Sequence, residues 1–176
     1  MTQATPPPAP GLVALVVDDE QPARDELAWL LERHPRIGRV VTSPSATEAL
    51  RVLRDGGADG SSEGGIDVVF LDIAMPGLTG LELAGVLAAF REPPAIVFVT
   101  AHEEHALEAF DLSAVDYLLK PLREDRLAEA VRRVLDRSTR ATLEQSGPRP
   151  APDEQVRVER GGVTRFLPRS AITHVE

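Results

Sequence analysis

The sequence predicts an α/β chain: a doubly wound parallel sheet in which five strands alternate with five helices, followed by a short C-terminal β-hairpin. Three observations carry this. Short apolar runs alternate with segments of helical periodicity from residue 12 to residue 137. The first run is continuously apolar, as a strand covered on both faces is expected to be. Four of the runs stop abruptly at polar residues: the first at Asp18-Asp19-Glu20, the third at Asp72, the fourth at Thr100 and the fifth at Lys120. In a parallel sheet with right-handed crossovers, the carboxyl ends of the strands share one edge, and ligands bind there.

The elements follow in order. Residues 12–17 are expected as a central strand. Pro22 suits a first helical turn, Leu27, Leu30, Leu31 and His34 follow at helical spacing, and Pro35 closes the helix. Residues 38–42 are only partly apolar and fit an edge strand. Ser45 can cap a helix carrying Ala46, Ala49, Leu50 and Leu53, with Glu48 at the capping-box position. Residues 56–65, with Gly-Gly twice around Ser61-Ser62, read as a long exposed loop. Val68 to Leu71 is then a buried strand meeting Asp72, and Pro76 and Gly77 prevent its continuation. A helix is expected from about Thr79 to Phe90, turning Leu81, Leu87 and Phe90 to the sheet, until Pro93-Pro94 stops it. Residues 95–99 form the next strand, 103–112 a short helix and 115–119 the last strand. A helix from Arg123 to about Arg137 places Leu127, Val131, Val134 and Leu135 on one face.

Beyond it, residues 140–155 hold three Pro and one Gly and read as a linker. Residues 156–159 and 163–167 flank Gly161-Gly162 as a hairpin, and a third strand begins at Ile172. The polar, Pro-rich residues 1–10 lack the pattern of a signal peptide and read as a disordered lead.

Composition narrows the chemistry. There is no Cys, which excludes disulfides and thiolate metal sites. No apolar run reaches membrane-spanning length, so no membrane partner is expected and the address is read as cytoplasmic. The net charge is -9, and residues 11–139 carry 23 acidic against 13 basic side chains, which opposes non-specific nucleic-acid binding by that portion. The chain has 18 Arg, no Asn and a single Lys. A bias that strong should convert Lys to Arg wherever the two are interchangeable. They are not interchangeable where a compact ammonium must meet a small anionic group. The one Lys is Lys120, at a strand's carboxyl end beside Pro121.

Asp18, Asp19 and Asp72 should therefore converge as three carboxylates, a repulsive set that a hard cation relieves. Oxygen ligands without His or Cys suit Mg²⁺, which keeps several waters and takes one or two carboxylates plus a phosphate oxygen. Lys120 supplies a second positive charge, and the Thr100 hydroxyl can donate to a phosphoryl oxygen. A carboxylate can itself be the nucleophile in phosphoryl transfer, and Asp72, alone at the centre of the sheet, is the candidate. His102 and His105 are spaced like a helical metal pair but read as part of a solvated face, since no third ligand accompanies them.

The set Val17-Asp18-Asp19-Glu20, Asp72-Ile73-Ala74-Met75-Pro76-Gly77-Leu78-Thr79-Gly80, Thr100-Ala101 and Lys120-Pro121, in this order and spacing, resembles the receiver domain of two-component response regulators over about residues 12–136. The resemblance implies a flavodoxin-like sheet of order 2-1-3-4-5. It makes Asp72 the phosphoacceptor, with Asp19 and Asp72 binding Mg²⁺ directly, Asp18 assisting through water and the Ala74 carbonyl as a further ligand. Thr100 and Lys120 then contact the phosphoryl group, Tyr117 holds the place of an aromatic switch, and the Lys120-Pro121 bond is cis. Residues 98–122 are most similar to receivers joined to a LytTR-type DNA-binding domain, and residues 155–176 resemble the first strands of that domain.

The implied organisation is a lead (1–10), a receiver (11–139), a linker (140–155) and an incomplete LytTR-type domain (156–176). The implied partners are a sensor histidine kinase, a second copy of the chain on phosphorylation, and promoter DNA only through the complete C-terminal domain. Dimerisation is expected through the helix 103–112, the last strand and the last helix, with Asp111, Asp116, Arg126, Arg132 and Arg133 as candidate charge partners. Such a switch is not a classical enzyme, although it promotes its own phosphorylation and dephosphorylation.

Two alternatives stand beside it. A haloacid dehalogenase-type phosphatase also uses a strand-end Asp, a Thr, a Lys and Mg²⁺, but it needs a second carboxylate two residues after the nucleophile, where this chain has Ala74. A receiver-shaped interaction module that is never phosphorylated would not need the complete acidic, hydroxyl and ammonium set.

Overall fold

Helices cover both faces of the sheet's inner strands, and this is why those strands are apolar up to the polar residues at their carboxyl ends. In the computed structural model, which describes residues 11–55, 65–101, 112–146, 156–160 and 163–167, the first ten elements in chain order are β1 (Leu12–Val17), α1 (Gln21–Glu32), β2 (Ile37–Ser43), α2 (Ala46–Asp55), β3 (Val68–Leu71), α3 (Gly80–Ala88), β4 (Ala95–Thr100), β5 (Asp116–Leu119), α4 (Glu124–Ser146) and β6 (Val156–Arg160). A last strand, β7, spans Val163–Leu167. The first five strands form one parallel sheet of order β2-β1-β3-β4-β5, with β2 at an edge. Four helices accompany that sheet among the described residues.

Alternate residues of each strand enter opposite cores. Ala14 and Val16, Val68 and Phe70, Val97 and Val99, and Leu118 pack with Leu27 and Leu31 of α1 and Leu127, Ala130, Val131 and Val134 of α4. Leu15 and Val17, Val69 and Leu71, and Ile96 and Phe98 pack on the other side with Ala46 and Ala49 of α2 and Leu83, Ala84 and Leu87 of α3. Phe70 and Phe98 are fully buried, one in each core. Burying such a side chain stabilises by about 1.5–3 kcal/mol, so the two layers hold the sheet rigidly from both sides.

Local signals set the helix starts. The Ser45 hydroxyl accepts from the Glu48 N–H at 3.2 Å. Thr79 caps α3 in a capping box: the Glu82 N–H donates to the Thr79 hydroxyl at 3.3 Å, and the Thr79 N–H donates to the Glu82 carboxylate at 2.9 Å. This start sets the helix's phase and corrects its expected inner face. The buried stripe is Gly80, Leu83, Ala84 and Leu87, while Leu81 and Phe90 are only partly covered.

A second correction concerns α4, which continues to Ser146, beyond the end expected near Arg137 and through the first residues of the expected linker 140–155. Residues 138–146 contain no Gly or Pro, and the first breaker is Gly147-Pro148. The chain divides after Arg137 into two compact units. The second contains β6 and β7 as an antiparallel pair, Val156 facing Leu167 and Arg160 facing Val163. The expected lead 1–10, most of the loop 56–65 and of the helix 103–112, and the third strand from Ile172 lie outside the described residues. None of the described helices is long and apolar enough to cross a membrane.

One glycine bears directly on the centre of the sheet edge. A Cβ added to Gly80 would stand 2.1 Å from the carbonyl oxygen of Asp72 and 2.9 Å from its carbonyl carbon. Both are backbone atoms, so the strand end itself has to move. Gly80→Ala is expected to destabilise the fold by about 1–3 kcal/mol, the usual cost of overpacking, read as a lower urea midpoint. A solvent-facing control, Gly85→Ala, has open space around its new Cβ and should not lower that midpoint.

Candidate functional site

The register of the sheet carries polar residues from four strands to one edge. Val17 pairs with Leu71 and Leu71 with Phe98, so Asp18 and Asp72 leave neighbouring strands side by side. The Asp72 N–H donates to the Val17 carbonyl at 2.9 Å, which prolongs the ladder into the site. Thr100 faces Leu119, and the Lys120 N–H donates to the Thr100 carbonyl at 2.9 Å. Asp18, Asp72 and Thr100 are buried, Lys120 is half-buried and Asp19 is exposed.

Carboxylate oxygens of Asp18, Asp19 and Asp72 lie within 4.8 Å of one another. The Lys120 ammonium donates to Asp18 Oδ2 at 2.7 Å and lies 3.6 Å from Asp72 Oδ2. Asp18 Oδ1 accepts from the Glu20 N–H at 2.9 Å, so both oxygens of this carboxylate are engaged. Asp72 differs: its Oδ1 is buried and has no hydrogen-bond partner. Ala74 is exposed, two residues beyond Asp72 in the loop before α3. Gly77, at φ +79°, takes the left-handed turn in that loop that a side chain would resist. The Lys120-Pro121 peptide is cis.

Electrostatics follow from this packing. Burial pushes the Asp72 carboxyl above its ordinary value, and the nearby Asp18 charge adds to that. The Lys120 ammonium, the Thr100 hydroxyl and the Ile73 N–H oppose it without cancelling it. Desolvation alone would lower Lys120, but its hydrogen bond to Asp18 and the charges of Asp72, Asp18 and Glu20 carry it above the usual lysine range. The site thus holds a poorly solvated carboxylate with one free oxygen beside a fixed ammonium, a hydroxyl and two further carboxylates. Such a set can bind a hard divalent cation and receive a phosphoryl group.

Residues 14–132 match the family described as the response regulator receiver domain. The chain belongs to that family. Among its relatives is the Bacillus cereus sensory transduction protein LytT, 40% identical over 122 residues, 69% of this chain and 46% of LytT. The positive alginate biosynthesis regulatory protein of Pseudomonas aeruginosa is 47% identical over 122 residues, 68% of this chain and 45% of that protein. The chain therefore spans about half the length of these curated relatives. Among solved structures, the response regulator protein TrrA of Thermotoga maritima in complex with Mg²⁺-BeF is similar at 30% identity and a TM-score of 0.58, over 70% of this chain and 98% of TrrA. The chain is a receiver domain of two-component response regulators, similar to LytT and to the alginate regulator.

The receiver brings together Asp18, Asp19, Asp72, Thr100 and Lys120, all named from sequence. Tyr117 pairs with Phe98, two residues before Thr100, and is half-buried against it, with ring centroids 6.5 Å apart at 52°. Of the candidate interface charges, Asp116 pairs within the chain with Arg133 at 3.0 Å and Arg126 at 3.6 Å, and Arg132 lies 3.9 Å from Asp136. Asp111, His102 and His105 lie outside the described residues.

Two features escaped the sequence reading. One is the close approach of Gly80 to Asp72. The other is Arg24, whose Nη1 donates to the Asp18 carbonyl at 2.6 Å. Its signal was a cation in the first turn of a helix, where the dipole disfavours it.

A carboxyl raised by burial weakens the fold once it ionises. That cost is absent below the ordinary carboxylate range and complete above the raised value. Asp72→Asn should therefore raise the urea midpoint at pH values where the Asp72 carboxyl is ionised in the folded chain. The gain should shrink as the pH falls through the acidic range, and the comparison of both proteins at several pH values checks the sign.

Proposed function

We propose that this chain is the phosphoacceptor part of a two-component phosphorelay, in which Asp72 receives a phosphoryl group from a sensor histidine kinase in a Mg²⁺-dependent reaction. The observation that carries this reading is the state of Asp72 itself: a buried carboxylate at the central strand's end, one oxygen unpartnered and the other 3.6 Å from the chain's only lysine ammonium. Each remaining step can be assigned to a residue of the chain.

A carboxylate oxygen of Asp72 forms the new P–O bond while the phosphohistidine P–N bond breaks, and the imidazole leaves with the electron pair. Lys120 and Thr100 stabilise the peripheral phosphoryl oxygens as charge shifts across them. Asp19 and Asp72 are the direct cation ligands with the Ala74 carbonyl, and Asp18 acts through water. The commitment of both Asp18 oxygens to Glu20 and Lys120 supports that indirect role. The all-oxygen donor set and the orphaned Asp72 Oδ1 fit Mg²⁺, and when bound the ion neutralises the carboxylates and polarises the phosphoryl oxygens. Hydrolysis of the acyl phosphate resets the site, so the chain is a switch and not a classical enzyme.

The output follows from Thr100 and Tyr117. As Thr100 engages the phosphoryl group, space opens beside Phe98 and Tyr117 turns inward, which repacks β5, α4 and the segment before β5 and favours a homodimer. Asp116 is held in-chain by Arg126 and Arg133, so a dimer that used it across the interface would first exchange these pairs. In the intact protein, which we place in the cytoplasm with no membrane partner, residues 11–139 form the receiver. Residues 156–176 begin a LytTR-type domain whose complete form binds promoter DNA, and residues 147–155 complete the linker. The name of the alginate regulator and the length of both relatives support a transcriptional output.

The test is intact mass after incubation with acetyl phosphate, with and without Mg²⁺. Wild type should gain one phosphoryl group only with Mg²⁺, and Asp72→Asn none; modification of the variant at the wild-type rate sinks the assignment. Lys120→Arg should still bind Mg²⁺ yet fail to shift the sedimentation coefficient on phosphorylation, because a planar guanidinium does not fit the point-charge position. A wild type that is fully phosphorylated yet sediments unchanged would remove dimerisation from the reading.

A further inference from the structure

Arg24 is the second cation at the acidic edge, and no part of the reading above uses it. It lies in the first turn of α1, where the helix's positive end disfavours a cation. That first turn carries no acidic residue, and Glu20 at the N-cap makes no side-chain capping bond. Asp18, Asp19 and Glu20 precede the helix and suit its positive end, so Arg24 is the group there that runs against the usual electrostatic preference. A local rule broken at a functional edge calls for a compensating role.

The guanidinium is half-buried and donates to the Asp18 carbonyl oxygen at 2.6 Å. That oxygen belongs to the peptide unit joining Asp18 to Asp19. Because the unit is planar, holding its oxygen also holds the Cα of Asp19, from which the exposed Asp19 side chain departs. Asp18 is meanwhile anchored at its N–H by the Ser43 carbonyl (3.2 Å), at Oδ1 by the Glu20 N–H (2.9 Å) and at Oδ2 by Lys120 (2.7 Å). With Arg24 on its carbonyl, each of its polar atoms is committed. Asp19 has no comparable anchor of its own among the described hydrogen bonds, so its direction depends on the peptide plane that Arg24 fixes.

We propose that Arg24 is a positioning residue for the cation site: by clamping the Asp18–Asp19 peptide it aims Asp19 into the crevice and preorganises the carboxylates for Mg²⁺. This rests on the Mg²⁺ reading given above. Two effects of the guanidinium then oppose one another. Its charge repels a cation, whereas its hydrogen bond orients a ligand. The sign of the change on its removal tells which dominates.

Mg²⁺ binding is measured by calorimetry, with no phosphodonor present, on wild type, Arg24→Met, Arg24→Lys and Asp19→Asn. Their native fold is verified by circular dichroism and urea midpoint. Arg24→Met, which deletes a repulsive charge, is nevertheless expected to weaken Mg²⁺ binding about tenfold, the low end of the effect of losing a residue that orients a metal ligand. Arg24→Lys, which can still donate to the carbonyl, should recover part of the loss. The Asp19 amide resonance should move in Arg24→Met and return toward wild type in Arg24→Lys.

Unchanged or tighter binding by a folded Arg24→Met overturns the proposal and leaves the Mg²⁺ site standing. A wild type that binds no Mg²⁺, or binds it equally well as Asp19→Asn, overturns the site and this inference together. If Arg24→Met does not fold, Arg24→Lys and Arg24→Gln decide: equal affinity and an unmoved Asp19 amide in both also overturn it.

Discussion

A carboxylate placed where water cannot fully solvate it is costly, and the arrangement around Asp72 responds to that cost. The ladder bond from its N–H to Val17 fixes the strand end, and the two apolar cores on either side of the sheet prevent it from relaxing toward solvent. Lys120 and Thr100 offset part of the desolvation, and Asp18 opposes them, so the group stays raised. One oxygen remains without a partner. Asp116 Oδ2 is likewise buried without a partner, so it is the company of Asp18, Asp19 and Lys120 that sets the Asp72 oxygen apart.

The remaining polar groups are arranged by how firmly each is held. Asp18 is bonded at every polar atom, Asp19 is exposed, and Lys120 reaches across from β5 to bind Asp18 while standing near Asp72. Fixed cations beside unsatisfied anions give the receiver a preorganised charge pattern. For the phosphoryl transfer proposed above, the stabilising groups would already be in place. The same rigidity connects the edge to the interior, because Thr100 ends β4 only two residues after Phe98, against which Tyr117 packs.

The strands were legible in the sequence because residues 68–71 and 95–99 are too apolar for anything but burial on both faces, and Asp72 and Thr100 mark their ends. Composition singled out the lone Lys120, and the structure places it against Asp18 and Asp72, where a compact ammonium and a guanidinium are not interchangeable. The inner face of α3 was not, because a helix's phase depends on where it starts, and the Thr79 capping box together with Gly80 against Asp72 decides that start. The end of α4 was misjudged for a related reason: hydrophobic periodicity fades where a helix leaves its core, although the backbone continues to the next Gly-Pro.

The sequence by itself determined which elements form and which side chains stand at the carboxyl ends of the strands, because periodicity and chain breakers are local properties that a linear reading can follow. Only the tertiary structure decided how the oxygens are shared. Lys120 meets Asp18 across 102 residues of chain, Arg24 takes the Asp18 carbonyl, and one oxygen of Asp72 is left over. Hydrogen bonds are decided by a few tenths of an ångström, and those distances come from strand register and loop closure among segments far apart in sequence.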